Sequence, residues 1–213
     1  MKFCVIGLGK FGFNLATLLA EEGNEVLVVD KNEDYVNDIK DFVTRAVCAN
    51  IDDVNTLIQI GIEDISTVII TIGEDFAQSV LITALLKKEL NIPNVIARAS
   101  SEIHETILRL VGAHQIISLE KEMATRLSER LSMPIGEISP LHEDFAAVKV
   151  RVHKRFAGKT VKQLLENKAH KLSCVAALKG NEMFLVTPEY VIMENDTLMF
   201  VGNKKAFSLL LDV

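Results

Sequence analysis

The feature that most limits how this chain can fold is the run Gly7-Leu8-Gly9-Lys10-Phe11-Gly12 together with its flanks. Before it stands a short apolar segment, Phe3-Cys4-Val5-Ile6, which reads as a strand buried on both faces. After it comes a helical pattern with Phe11, Leu15, Leu18 and Leu19 on one face, stopped by Gly23-Asn24. A second apolar run, Val26-Leu27-Val28-Val29, ends on Asp30. A G-x-G-x-x-G sequence means little alone; strand before, helix after and an acid closing the next strand supply the context it needs. Gly7 permits a tight strand-to-helix turn. Gly9 lets backbone N–H groups approach a pyrophosphate. Gly12, helped by small Ala16, lets the helix lie close on the strand. The unpaired amides and positive dipole end of that helix then face phosphates. Asp30 is placed to accept hydrogen bonds from both hydroxyls of a ribose and to repel a 2′-phosphate, which disfavours NADP. The bland alternative is a glycine-rich turn that binds nothing.

The alternation continues. A helix starting at Lys31-Asn32 carries Tyr35, Val36 and Ile39, and Thr44 to Cys48 reads as a third strand. A helix from Asp52, its cap, to Ile60 ends at Gly61. Thr67 to Thr71 is a fourth strand leading into Ile72-Gly73, and a long helix from Glu74 to Leu90 turns Phe76, Val80, Leu81, Ala84 and Leu85 inward. Val95 to Arg98 is a fifth strand, Ser101 to Val111 a helix closed by Gly112, and Gln115 to Ile117 a sixth strand. Strand and helix in strict alternation predict an α/β fold with a parallel, doubly wound sheet and right-handed crossovers. Ligands of such sheets lie beyond the carboxyl ends of the strands, at the switch point. The candidate binding residues are therefore Gly7, Gly9, Lys10, Phe11 and Gly12, then Asp30 and Lys31, Ala49 and Asn50, Thr71, Ile72 and Gly73, and Arg98. Ala49-Asn50 fits an adenine contact or an ordinary turn equally well. Arg98 ends an apolar strand, which is costly unless an anion meets it; that anion is a ligand or a nearby Asp or Glu.

From Leu119 to Met133 a helix presents Met123, Leu127 and Leu131 as a narrow apolar stripe, wide enough for one neighbour. Pro134 stops it, and a domain boundary is expected near residue 135. Beyond it, strands are expected at Phe145–Val152, Ser173–Leu178, Met183–Val186 and Asp196–Gly202. A short helix with Val161, Leu164 and Leu165, a hairpin at Lys179 to Glu182 and a final helix from Asn203 to Leu211 complete a small α+β module. The expected domains are 1–118, a linker helix 119–135, and 136–213.

Composition excludes several classes. A net charge of −6 and the lack of a basic helix-turn-helix argue against nucleic acid as a partner. Cys4, Cys48 and Cys174 lie in apolar strand runs and read as small buried hydrophobes in a reducing compartment. The fold is expected to begin at residue 1 with no targeting segment, and no uncharged run approaches a membrane span; a soluble cytoplasmic protein is expected. His104, His114, His142, His153 and His170 show no metal-ligand spacing and read as surface or hydrogen-bonded side chains. There is no G-x-S-x-G elbow, no Walker P-loop and no Tyr-x-x-x-Lys pair. These absences favour a nucleotide sensor over a nucleotide-using enzyme, with an NAD-dependent oxidoreductase as the rival.

Cys4 to Gly12, Val28-Val29-Asp30, Ile70-Thr71-Ile72-Gly73-Glu74, Gly112-Ala113 with Ile116-Ile117, and Glu120-Lys121-Glu122-Met123 together resemble the RCK (regulator of K⁺ conductance) family. The last module resembles its TrkA-C (RCK-C) domain through Phe156 to Val161 and Glu194 to Gly202. The likeness covers essentially the whole chain and is nearest to cytosolic TrkA/KtrA-type subunits of bacterial potassium-uptake systems. It implies a Rossmann-like TrkA-N domain followed by a small RCK-C domain, and a non-enzymatic gating-ring subunit. It implies a homodimer assembling to an octameric ring, on the inner face of the cell membrane beneath a K⁺-translocating subunit of the TrkH/KtrB kind. It implies binding of ATP, ADP or NAD(H). Lys10 takes a position where relatives often carry arginine, keeping the charge without the fork geometry. Glu120 matches an acid that in some relatives helps hold a divalent cation; its other reading is a first-turn acid favouring the helix dipole. In some relatives the second domain binds cyclic di-AMP, and Arg155 lies where such contacts could arise. The same resemblance admits a regulator of another cation transporter.

Overall fold

Apolar runs and amphipathic runs sort into six parallel strands and the helices between them over the first part of the chain. They are β1 (Lys2–Ile6), α1 (Lys10–Glu21), β2 (Glu25–Asp30), α2 (Glu33–Ile39), β3 (Arg45–Cys48), α3 (Val54–Ile60), β4 (Thr67–Ile70), α4 (Phe76–Ala84), β5 (Asn94–Arg98), α5 (Glu102–Val111) and β6 (Gln115–Ile117). The structure, a computed structural model, describes residues 1–132, 138–166, 171–180 and 182–210. Two compact units divide the chain, Met1–Glu122 and Met123–Val213.

In the first unit the strand order is β3-β2-β1-β4-β5-β6, every pair parallel. The order reverses between β1 and β4, which opens a crevice at their carboxyl ends. Successive residues of a strand feed opposite faces. Cys4, Ile6, Val68 and Ile70 enter one core layer, and Val5, Val26, Val28 and Ile69 the other. That two-sided burial is why these strands read as continuous apolar runs.

Several local expectations are corrected. In α1 the buried residues are Gly12 and Ala16, whereas Leu18 is 58% exposed. Leu18 stands about 120° round the helix from Gly12, so the close approach at Gly12 turns it to solvent. In α4 the buried face is Ser79, Ile82 and Thr83, while Phe76 and Leu81 are each 39% exposed. This helix is apolar nearly all round, so the apolar pattern does not choose its inner face. The inner face is the one that carries the small polar residues Ser79 and Thr83, where the Thr83 hydroxyl donates to the Ser79 carbonyl at 2.7 Å. A π-helical turn, Leu85–Glu89, continues the helix. Cys48 is exposed, because β3 is an edge strand. The cap of α3 is Asp53, not Asp52: its Oδ1 accepts the Thr56 amide and the Thr56 hydroxyl, both at 2.8 Å.

The helix α6 spans Leu119–Ser132. The second unit holds β7 (Ile138–Pro140), β8 (Phe145–Arg151), α7 (Val161–Leu164), β9 (Leu172–Lys179), β10 (Glu182–Leu185) and β11 (Thr197–Asn203). Its strands pair antiparallel in the order β10-β9-β11-β8-β7, over a core centred on Val148, Leu198, Phe200 and Phe207. The expected boundary near residue 135, and Asn181 of the expected hairpin, lie outside the described residues. The expected final helix is a 3₁₀ helix over Lys204–Leu210. The strand β7 was not expected, since three residues ending in proline show no period.

The Asp53 cap makes a test. Its hydrogen bonds to Thr56 hold the carboxyl below its ordinary range. A depressed folded pKa contributes stability that is present above the ordinary carboxylate range and lost as pH falls through the folded value. Asp53→Ala is expected to lower the urea midpoint at neutral pH and to flatten its acid dependence, while Asp52→Ala leaves both unchanged. Urea titrations at neutral and acid pH measure this.

Candidate functional site

The carboxyl end of β1 runs into Gly7, whose φ is +98°, a conformation glycine adopts without strain. Gly7 is tied to both neighbouring strands. Its amide donates to the Val29 carbonyl at 2.8 Å, and its carbonyl accepts the Thr71 hydroxyl at 2.5 Å. Gly12 packs on this same spot: a Cβ there would collide with the Gly7 carbonyl oxygen and with Thr71 Oγ1. Gly9 is the opposite case, since a Cβ on it would meet nothing within 4 Å. The backbone at Gly9 therefore faces open space.

Gly9 is also the N-cap of α1, and it contributes no side-chain hydrogen bond. The caps of α2, α3, α4 and α5 are Asn32, Asp53, Asp75 and Ser101, each accepting a backbone amide. The first-turn amides of α1 have no partner within the helix, and that turn carries no acid. The partial positive charge of the helix end is reinforced by Lys10. This combination suits an anion.

Asp30, at the end of β2, has a second role that its position did not disclose. One carboxylate oxygen accepts the Leu8 amide at 2.5 Å and the other the Asn32 amide at 2.8 Å. The acid thus holds the middle of the glycine turn in place, and each oxygen keeps a further lone pair.

A cavity of about 790 Å³ lies over these strand ends, within the range of small-molecule sites. Of the residues expected to bind, Gly7, Gly9, Lys10 and Phe11 line it, with Asp30, Lys31, Ala49, Asn50, Thr71, Ile72, Gly73 and Arg98. Gly12 is buried beneath the turn and does not line it. Glu120 is not in the lining either; its carboxylate meets Arg98 Nη2 at 2.8 Å. Its own backbone amide, then Arg98, holds that carboxyl below the usual range. Among the described residues no group of three or more His, Cys, Asp or Glu could hold a metal. His170 lies outside them, and His104 is buried, with its Nδ1 accepting the Ser100 amide at 3.3 Å.

The sequence reading did not propose Asn32, Tyr35, Ile51, Asp75, Gln78 or Leu119, which also line the cavity. Asp75 and Gln78 carried a signal: an acid with glutamine three residues on is a helix-start pattern. Asp75 accepts the Gln78 amide at 3.0 Å, and the Gln78 side chain donates to the Ile51 carbonyl at 2.6 Å. Ile51 had no signal, because its place depends on that long-range bond.

The sequence profile described as "TrkA-N domain" matches residues 3–119. The chain belongs to the TrkA-N family. Ktr system potassium uptake protein A of Bacillus subtilis (strain 168) is 36% identical over 208 residues, which are 96% of this chain and 92% of that protein. The GsuK channel bound to NAD superposes with a TM-score of 0.61 at 19% identity, over 98% of this chain and 38% of that one, a likeness of fold. GsuK bound to ADP gives a TM-score of 0.53 at 25% identity, over 61% of this chain and 33% of that one. The chain spans well under half of those GsuK chains. The TrkA-N match covers the parallel sheet and the whole cavity.

Two glycines separate packing from access. Gly12→Ala puts a methyl against backbone that cannot swing away, and is expected to cost about 1–3 kcal/mol. Gly9 has φ −61° and ψ 176°, which any residue adopts, so Gly9→Ala is expected to stay within about 0.5 kcal/mol of the parent. Thermal and urea unfolding of the two variants give the comparison.

Proposed function

We propose that this chain is a regulatory subunit of a potassium-uptake system, which binds an adenine nucleotide in the crevice at the glycine turn and responds to it without consuming it. The observation that carries this reading is the uncapped amino end of α1, opening with Lys10 into a cavity that also presents Asp30. The residues fit the ligand class: amides and a cation for phosphates, a carboxylate with free lone pairs for ribose hydroxyls, and Ile51, Ile72 and Ile82 as apolar lining. Potassium uptake is supported by the name of the Bacillus subtilis relative, whose length is almost fully shared. Nucleotide as ligand is supported by GsuK, a channel of like fold bound to NAD in one structure and to ADP in another.

In this reading residues 1–118 bind the nucleotide, 119–135 connect, and 136–213 form an RCK-C domain. The ligands are ATP, ADP or NAD(H). A divalent cation at Glu120 and cyclic di-AMP near Arg155 are further arms of the same family-level reading. The partner is a membrane K⁺-translocating subunit, placing the protein on the inner face of the cell membrane; no helix among the described residues is long and apolar enough to cross one. Met123, Leu127 and Leu131 are 60%, 50% and 74% exposed, and this stripe is offered to a second copy. Regulation follows from differential affinity: a nucleotide bound equally by two conformations shifts neither.

Calorimetric titration of ATP, ADP, NAD⁺ and NADH into the purified chain tests the reading. Binding of at least one of them is expected, with Gly9→Ala and Asp30→Ala each weakening it by about tenfold or more, equivalent to about 1.4 kcal/mol. Nicotinamide absorbance is expected to stay constant on incubation with NADH. Absence of binding, or steady turnover, would reject the proposal. Light scattering is expected to return a dimer or a multiple of one, and a monomer would remove the second-copy role of the stripe.

A further inference from the structure

Arg98 holds an unfinished interaction. It closes β5, and 23% of its side chain reaches solvent. Its guanidinium lies on the backbone of Gly73, just past β4: a Cβ at Gly73 would stand 2.8 Å from Nη1 and 3.1 Å from Cζ. β4 pairs with β1, so the charge sits one strand over from the glycine turn, on the side of the site where phosphates are expected. A guanidinium has five N–H donors. Here the buried Nε has no partner, and Nη2 donates to Glu120 Oε1 at 2.8 Å. The carboxylate itself is 70% exposed. A mostly buried cation is thus balanced by one exposed acid through the Nη2–Oε1 hydrogen bond, although the fork geometry could grip two oxygens of one anion.

A buried charge needs a counter-ion, and within the chain alone Glu120 serves. A phosphate group offers more oxygens and more charge to the same donors, and two anions on one guanidinium repel each other. We propose that Glu120 is an internal competitor for the anion position at Arg98. The guanidinium exchanges Glu120 for a phosphate group of the nucleotide, and the first turn of α6, where Glu120 sits, is released from β5. This inference rests on the nucleotide reading above and deepens it: the phosphate content of the ligand is registered as the engagement or freedom of Glu120. Arg98 is then the discriminating residue and Glu120 its built-in reference.

The two side chains must act with opposite sign, which a merely structural ion pair would not produce. Adenosine, AMP, ADP and ATP are titrated by calorimetry into the full chain and into Glu120→Gln, Arg98→Gln and the double variant, with EDTA present so that no metal ion bridges acid and phosphate. Glu120→Gln is expected to tighten the ligand whose phosphate reaches Arg98 by on the order of twofold to fivefold, the range of a partly exposed ion pair, and to leave adenosine unchanged. Arg98→Gln is expected to weaken that same ligand, and adding Glu120→Gln to it is expected to give no further change. Unchanged or weaker binding in Glu120→Gln overturns the proposal, as does equal tightening in the Arg98→Gln background, which would mark a diffuse charge effect. If the parent binds none of the four and no NAD(H), both this proposal and the nucleotide reading fall. Binding without the sign reversal defeats this one alone.

Discussion

The hydroxyl of Thr71 reaches from the end of β4 to the carbonyl oxygen of Gly7 at the end of β1, and Gly12 lies against that same oxygen. The two strands are paired neighbours, and the order of the sheet reverses between them, one chain path turning each way. A glycine at position 12 lets α1 approach until its backbone nearly touches the strand end. That approach fixes which way the helix points, and so aims its free amides across the crevice. A bulkier residue would push the helix off the sheet and tilt that end away. The packing contact and the anion-binding geometry are therefore one constraint seen from two sides.

Asp30 links binding to folding in a similar way. By accepting the Leu8 amide it holds the glycine turn in one shape, and by accepting the Asn32 amide it anchors the start of α2. A turn rich in glycine would otherwise lose much conformational entropy on meeting a ligand. With the turn already held, that cost belongs to folding rather than to association. The carboxylate proposed to meet a ribose is thus also the reason the backbone of the glycine turn is in place beforehand.

The architecture was legible because its signals are local or periodic. Parallel strands buried on both faces read as apolar runs, and Gly61 and Gly112 announced the ends of α3 and α5 through positive φ. What escaped was information that only tertiary contact holds. Leu18 looks like a core residue until Gly12 sets the rotation of α1. The inner face of α4 could not be chosen in a helix apolar nearly all round, and Asp52 and Asp53 are indistinguishable as caps until one of them meets Thr56. At the site, the strand-end positions followed from topology alone, while the partner of Arg98 stands 22 residues away on another element. The sequence reading left an anionic ligand and a nearby acid as alternatives there. In the chain alone the acid occupies the position, which does not remove the ligand as its rival.

Charge around the crevice explains how a chain of net charge −6 can present an anion site. Two of its cations are matched by acids within the chain, Lys31 with Asp75 at 3.9 Å and Arg98 with Glu120 at 2.8 Å. Both carboxylates are exposed; the Lys31 pair is open on both sides and contributes little, whereas the Arg98 guanidinium is mostly buried and needs an anion beside it. Lys10, on the uncapped turn, has no ion pair among the described residues. The site thus combines a fixed positive end, made of backbone amides and Lys10, with cations already paired to acids of the same chain. Under the proposed nucleotide reading, the fixed part supplies the affinity that any phosphorylated adenosine would share. Under the same proposal, exchange at Arg98 supplies the difference between one ligand and another, and only such a difference can shift a population of conformations.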